Sequence, residues 1–337
     1  MADINVGADA PLDSTARRFP APVVTALVLL ALFAVPQFVH NEYFLHLCVV
    51  SAIFVIIALG LNLIVGYVGQ LSLAHAAFFA LGAYVSALLF VRFKLSMWVG
   101  LPAAALVTGV IAFALGWVIL RVRGHRFVII TVAFAEIMKL VAANWIDVTR
   151  GFMGLPGLQI PALSLPGIGD IDLSSKERFY YVALVAAIIT FWLCAKLVHS
   201  SIGRAFVLVR ENEVLAESLG ISAFRYCMIA FVAGAAMAGA AGSLYGHYVG
   251  FVSPDLFNFS YITIMLIMVI LGGKGTLIGP VLGAVIFTFL PELLRDASQY
   301  RMVLFAAILI LATMFMPRGI IFPLVEHLAP ARWRNKP

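Results

Sequence analysis

Glu136 and Lys139 lie three positions apart inside the apolar stretch 126–146. On a helix that spacing puts them on one face and within reach of each other. Unpaired at that depth in a bilayer, either charge would cost a few kcal/mol. They must therefore face protein, either as a structural pair or as contacts for the two ends of a zwitterionic solute. A second polar group, Asn62, Gln70, Ser72 and His75, surrounds the glycine-rich break Gly66-Tyr67-Val68-Gly69. Unwound backbone at membrane depth is tolerated only where it is buried in protein or lines a cavity, so these six residues form a candidate translocation path. The alternative for Gln70 or Ser72 is to cap the next helix, and for His75, one turn beyond Ser72, to act as a hydrogen-bonded packing residue rather than a proton relay.

The third informative stretch is Gly203 to Ile221. Read as one helix from about 204 to 218, it gathers Ala205, Leu208 and Val209 with Ala216 and Leu219 by rows of three or four. Arg210, Glu211, Glu213 and Glu217 mostly face elsewhere, and Gly220 closes the helix as a C-cap. This amphipathic helix either docks in a cleft of a partner or rests on lipid headgroups. Its three acids favour the partner, since an anionic leaflet would repel them.

Other chemistries lack their residues. A P-loop needs a hydroxyl after Gly-Lys, but Gly273-Lys274 is followed by Gly275, so the chain does not itself bind ATP. The seven histidines show no metal-ligand spacing. There is no G-x-S-x-G elbow for a nucleophile. No paired acid and histidine constellation suggests an enzyme. The three cysteines, Cys48, Cys194 and Cys227, lie in apolar runs and suggest no disulfide framework.

The elements that must position these groups are membrane helices. Of 337 residues, 63% are apolar and 11% charged, against about 25% charged in soluble domains. With spans of about 20 residues, ten candidates emerge: 20–38, 43–65, 71–91, 96–120, 126–146, 178–199, 223–247, 257–273, 276–294 and 299–316. The third and ninth follow the glycine-rich breaks 66–69 and 272–275, so either could be discontinuous. The predicted fold is an all-α polytopic membrane protein. Residues 1–19 form an inner tail, 20–316 the membrane domain and 317–337 a second inner tail. The first span, preceded by Arg17 and Arg18, has no small-x-small cleavage site and is read as uncleaved.

With ten crossings and the amino terminus inside, inner segments hold 13 of the 22 Lys and Arg residues and outer segments 7. This matches the positive-inside rule and places both termini in the cytoplasm. The net charge of +6 is dispersed over helix ends, which argues against nucleic acid as a partner. Two loops are long: 147–177 outside, rich in Gly and Pro, and 200–222 inside. In so compact a chain, loops of that size are read as docking surfaces. Along the seventh span Ala230, Gly234, Ala238, Gly242 and Gly246 recur every four residues. That ridge of small side chains allows a close approach, either within the chain or at a seam with a second subunit.

Several of these segments carry a resemblance. Arg210 to Glu213 and Ala216 to Ile221, followed by Tyr226 and a Gly/Ala-rich span, resemble the coupling-helix region of branched-chain amino acid ABC permeases of the LivM type. Gly60 to Tyr84, Thr131 to Ile137 and Gly272 to Ala284 are similar to further signatures of that family, in the same order. The likeness extends from roughly 43 to 316.

It implies one transmembrane subunit of an importer in the bacterial inner membrane. Its partners would be a second homologous permease, two cytoplasmic ATP-binding subunits that carry ATP and Mg, a periplasmic solute-binding protein, and lipid. No cofactor is implied in this chain. Arg204, Arg210, Glu211, Asn212, Glu213, Ala216, Glu217, Leu219 and Gly220 would then form the contact with the ATPase. The binding protein would dock partly on 147–177. Substrates implied are branched-chain amino acids, while close relatives also serve urea, short amides and aromatic acids. Two departures stand out: Lys274, where the family more often has an apolar or small residue, and Thr149 to Gly157, which fits the commoner Gly/Asn-rich form only in part. From periodicity alone, a proton-coupled secondary transporter using Glu136 or His75 fits nearly as well.

Overall fold

The computed structural model describes residues 41–122, 124–158 and 175–293, the backbones of 163–165 and 169–171, part of 30–37 and four positions between 310 and 320. Two units are distinguished, 1–40 and 41–337. In the first, 32–37 are helical. The expected tails 1–19 and 317–337 and the spans 20–38 and 299–316 lie largely outside the described residues.

The second unit is helical. Helix α1 (Glu42–Asn62) starts where the Asn41 side chain accepts a hydrogen bond from Tyr43 N, with Glu42 in the first turn. Both features satisfy the free amides and positive end of a helix start. α1 does not unwind at the first glycine of the break. It widens into a π-helical turn over Leu63–Val68 and stops at Gly69, whose φ of +81° suits glycine. The non-helical stretch is therefore 69–74, and the next helix, α2 (His75–Phe93), starts four residues later than expected.

α3 (Met97–Ile119) is capped by Ser96, α4 is His125–Asn144, and α5 (Lys176–Val198) is capped by Ser175. The loop 200–222, expected on the inner side and termed the inner loop, holds α6 (Ser201–Glu211) and α7 (Glu213–Ser218). α8 (Ala223–Val249), α9 (Phe259–Gly273) and α10 (Ile278–Leu293) follow. Short strands join the loops: β1 (Leu155–Pro156) pairs antiparallel with β4 (Phe251–Val252), and β2 (Leu163–Leu165) with β3 (Gly169–Ile171).

Among the described residues, six helices are long and apolar enough to cross a membrane: α1 with its π turn, α2, α3, α4, α5 and α8. Among the described residues, the helices at the expected eighth and ninth spans are shorter than a crossing. α9 and α10 have 15 and 16 residues, or about 22 to 24 Å at 1.5 Å per residue, against a hydrocarbon core of about 30 Å. Residues 254–257 form a 3-10 turn opened by Pro254, and Lys274 to Leu277 separate α9 from α10. The count of ten is thus not reached within the described residues.

α8 occupies the centre, packed on α1, α2 and α3. Between lipid-facing helices there is no hydrophobic gain, so close van der Waals contact must hold them. Small residues make that contact. A Cβ on Gly234 would stand 2.5 Å from the Gly60 carbonyl oxygen of α1, and one on Gly242 would stand 2.9 Å from Ala83 N of α2. Ala230 and Ala238 are fully buried, and Gly246 packs on Val252. The ridge Gly234, Ala238, Gly242 and Gly246 is therefore packed against other helices of the same chain. Phe78 gathers Phe134 and Phe231 around it, at ring centroid separations of 5.6 and 5.5 Å.

Candidate functional site

At the end of α1, three segments meet. Asn62, buried, donates from Nδ2 to the Thr276 carbonyl at 2.7 Å and accepts at Oδ1 from Gly275 N at 2.9 Å. It thus clasps the break between α9 and α10. Gly66 is required beside it, since a Cβ there would lie 2.5 Å from Gly275 N. From α6, the Arg210 guanidinium reaches in: Nη1 donates to the Gly66 carbonyl at 2.8 Å. Nε and Nη2 of the same group donate to Glu211 Oε1 at 3.2 and 2.8 Å. A Cβ on Gly69 would lie 2.7 Å from Arg210 Cγ, and one on Gly275 2.8 Å from Arg210 Nη1. The π turn, the α9–α10 break and the inner loop are thus fitted around one arginine.

The inner loop is two helices rather than the single one expected over 204–218. Asn212 leaves the helical region and its Oδ1 accepts from Leu215 N at 3.0 Å, starting α7 anew. An asparagine cap outcompetes helix continuation here because it satisfies an otherwise free amide. The end is a Schellman turn: Gly220 N donates to Glu217 O and Ile221 N to Ala216 O, with Gly220 at φ +79°.

Ala205, Phe206, Val209 and Ala216 are buried, and Phe206 meets Tyr226 edge-on. Leu219 was expected on that face, but it is 64% exposed, as is Val214 at 78%. Together with Leu215 they make an apolar outer surface among exposed Arg204, Glu211 and Glu217. Glu213 is half-buried.

Nearer the middle of the helices the polar residues separate. His75 is fully buried, its ring set against the Gly60 and Gly234 backbones and edge-on to Phe78. Ser72 Oγ accepts from Ala74 N at 3.4 Å, a local turn ahead of α2. The Gln70 side chain caps no helix and makes no hydrogen bond among the described residues. Glu136 and Lys139 approach each other to 4.0 Å on α4, with side chains 49% and 31% exposed. Glu136 borders a narrow apolar crevice lined by Leu73, Ala76, Val132, Phe257 and Ile262. Among the described residues the expected path residues thus take separate places: Asn62 belongs to the arginine junction, His75 to the core, and the charged pair to an exposed face of α4.

In the loop after α4, Arg92 Nη2 donates to Asp147 O at 2.6 Å and Thr149 Oγ1 to Ala142 O at 2.7 Å. A short turn, Gly151–Met153, then presents Phe152 and Met153, 76% and 84% exposed.

Sequence reasoning did not find a buried polar chain between α2 and α8. Ser243 Oγ donates to Ser86 Oγ at 2.8 Å, and Ser86 Oγ lies 3.0 Å from His247 Nε2. The i,i+4 spacing of Ser243 and His247 was its only signal, and Ser86 lies 157 positions away.

Comparison with known proteins gives a consistent result. A sequence profile described as branched-chain amino acid transport system / permease component matches residues 43–313. The high-affinity branched-chain amino acid transport system permease protein LivM of Salmonella typhimurium is 32% identical over 316 residues, 88% of this chain and 74% of that protein. LivM of Escherichia coli is 32% identical over 315 residues, with the same coverage. The LivH permease protein of the same system in Salmonella typhimurium is 30% identical over 295 residues, 80% of this chain and 91% of LivH. No solved structure matches.

Proposed function

The chain belongs to the family of branched-chain amino acid transport system permease components, and on that premise we propose that it is a transmembrane subunit of an ABC importer for branched-chain or related small amino acids. It sits in the bacterial inner membrane with both termini in the cytoplasm. It carries no catalysis of its own; ATP and Mg are bound by two partner subunits. Similarity to both LivM and LivH supports pairing with a second, homologous permease, and a periplasmic binding protein delivers the solute.

The observation that carries this reading is the inner loop. Its two capped helices are anchored by buried Phe206, Val209 and Ala216 while Val214, Leu215 and Leu219 stay exposed among acids. A rigid, apolar, acid-rimmed knob of this kind suits a cleft on a soluble partner better than an anionic lipid surface. Closure of the ATPase pair on ATP moves the knob, and the spans respond by exposing the path alternately to either side. Glu136, Lys139 and the crevice beside them are the candidate contacts for a zwitterion on that path.

The test is recovery of the tagged chain from its own membranes in mild detergent. Two P-loop ATPases and a second permease should come with it, and Val214→Asp with Leu219→Glu should release the ATPases while leaving the permease pair intact. A chain recovered alone, and moving solute in vesicles under a pH gradient, would replace this reading with a proton-coupled transporter.

A further inference from the structure

We infer that Arg210 is the positioning residue through which the inner loop drives the two interrupted membrane segments, rather than part of the surface that meets the ATPase. This rests on the importer reading above. Arg210 is the last basic residue of α6, yet its guanidinium turns toward the membrane domain and donates to the Gly66 carbonyl at 2.8 Å. That carbonyl belongs to the π turn, where the widened hydrogen-bond ladder favours insertion of an outside donor.

Three glycines make room for it. At Gly66, Gly69 and Gly275 an added Cβ would intrude on Asn62, on Arg210 Cγ or on Arg210 Nη1. Asn62, one turn before Gly66, holds both Gly275 N and the Thr276 carbonyl, so the π turn and the α9–α10 break move as one body. Glu211 grips the opposite edge of the same guanidinium through two N–H groups, which fixes the side chain to its own helix. A displacement of α6 is therefore passed through one planar, doubly held group to two segments far apart in the chain. Arginine suits this because its planar fork donates in two directions at once, as a lysine ammonium on a flexible stem does not.

The experiment uses the complete transporter, purified with its ATPase subunits and reconstituted in vesicles. In Arg210→Ala the ATPases should stay bound and still hydrolyse ATP, while solute moved per ATP falls by about tenfold or more, the scale of losing a charge-assisted hydrogen bond. Arg210→Lys, which keeps the charge and one donor, should recover part of that ratio. An unchanged ratio in Arg210→Ala would overturn the inference. Loss of the ATPases from that variant would overturn it too, returning Arg210 to the docking surface.

A second measurement needs no variant. In the wild-type complex, adding ATP should change amide hydrogen exchange in 201–211, 64–70 and 274–279 together. A response in 201–211 with none in the other two segments would refute the linkage while leaving the importer reading intact, since co-purified ATPases establish that separately.

Discussion

Gly234 offers a sharp test of how α8 is held, because the same substitution at a nearby helical glycine should act with the opposite sign. In Gly234→Ala the new Cβ would stand 2.5 Å from the Gly60 carbonyl oxygen and 2.9 Å from His75 Nε2. The first is backbone of α1 and cannot rotate away. Comfortable carbon contacts begin at about 3.5 Å, so the helices must part by roughly 1 Å, which forfeits a quarter to a half of each dispersion contact along the seam. Overpacking of this kind costs about 1 to 3 kcal/mol, and the gain of about 1 kcal/mol for alanine over glycine in a helix offsets part of it.

At Gly109 of α3 the nearest atoms to an added Cβ are Ala236 Cβ and Val232 Cγ1, both at 3.8 Å. Gly109→Ala should therefore keep its helix-propensity gain of about 0.5 to 1 kcal/mol. Thermal unfolding of the purified chain in detergent, followed by intrinsic fluorescence, should show a fall in midpoint for Gly234→Ala and no fall or a rise for Gly109→Ala. Equal midpoints for the two variants would refute the close-contact account of the α1–α8 seam.

Other expectations follow from single contacts. Asn62→Ala leaves Gly275 N and the Thr276 carbonyl without their partner, so thermal stability should drop by about 2 to 4 kcal/mol, and Asn62→Asp, which still accepts from Gly275, should lose less; wild-type stability in Asn62→Ala would dismiss the clasp. For Glu136 and Lys139, 4.0 Å apart and partly exposed, a double-mutant cycle with Glu136→Gln and Lys139→Met should give a coupling of about 0.5 to 1 kcal/mol in unfolding midpoints; zero coupling would leave them independent. Phe152→Asp should raise the binding-protein concentration needed for half-maximal uptake by roughly tenfold; an unchanged requirement would move the docking site away from the Gly151–Met153 turn.

The membrane class, six of the long helices and the closure at Gly220 were legible in the sequence, because apolar length and a glycine past a helix end are local signals. The inner loop was misread as one helix because Asn212 has two uses, and only its cap to Leu215 N shows which applies. Arg210 is exposed, as helical periodicity suggests, but its contact with Gly66 is made by folding, and no spacing rule links positions 144 residues apart. The small-residue ridge left two readings open, since a face of Gly and Ala declares a close neighbour without saying which. The backbones of α1 and α2 supply such a neighbour within the chain.

The two glycine-rich breaks, weak features when each is taken alone, acquire a common reason once they touch. A π turn leaves carbonyls poorly satisfied, and an interrupted pair such as α9 and α10 leaves amides and carbonyls free at membrane depth, which is costly for each in isolation. Here Asn62 joins Gly275 and Thr276 to α1, Arg210 takes the Gly66 carbonyl, and Ile320 N donates to the Leu271 carbonyl near the end of α9 at 2.8 Å. The interruptions are therefore mutually satisfied, and the stability of each depends on the position of the other. Polar backbone bonded only across segments can exchange partners in small steps, whereas a continuous helix must break its ladder to bend. That difference is the physical ground for the proposal that the movable part of this permease lies at the junction of the π turn, the α9–α10 break and α6.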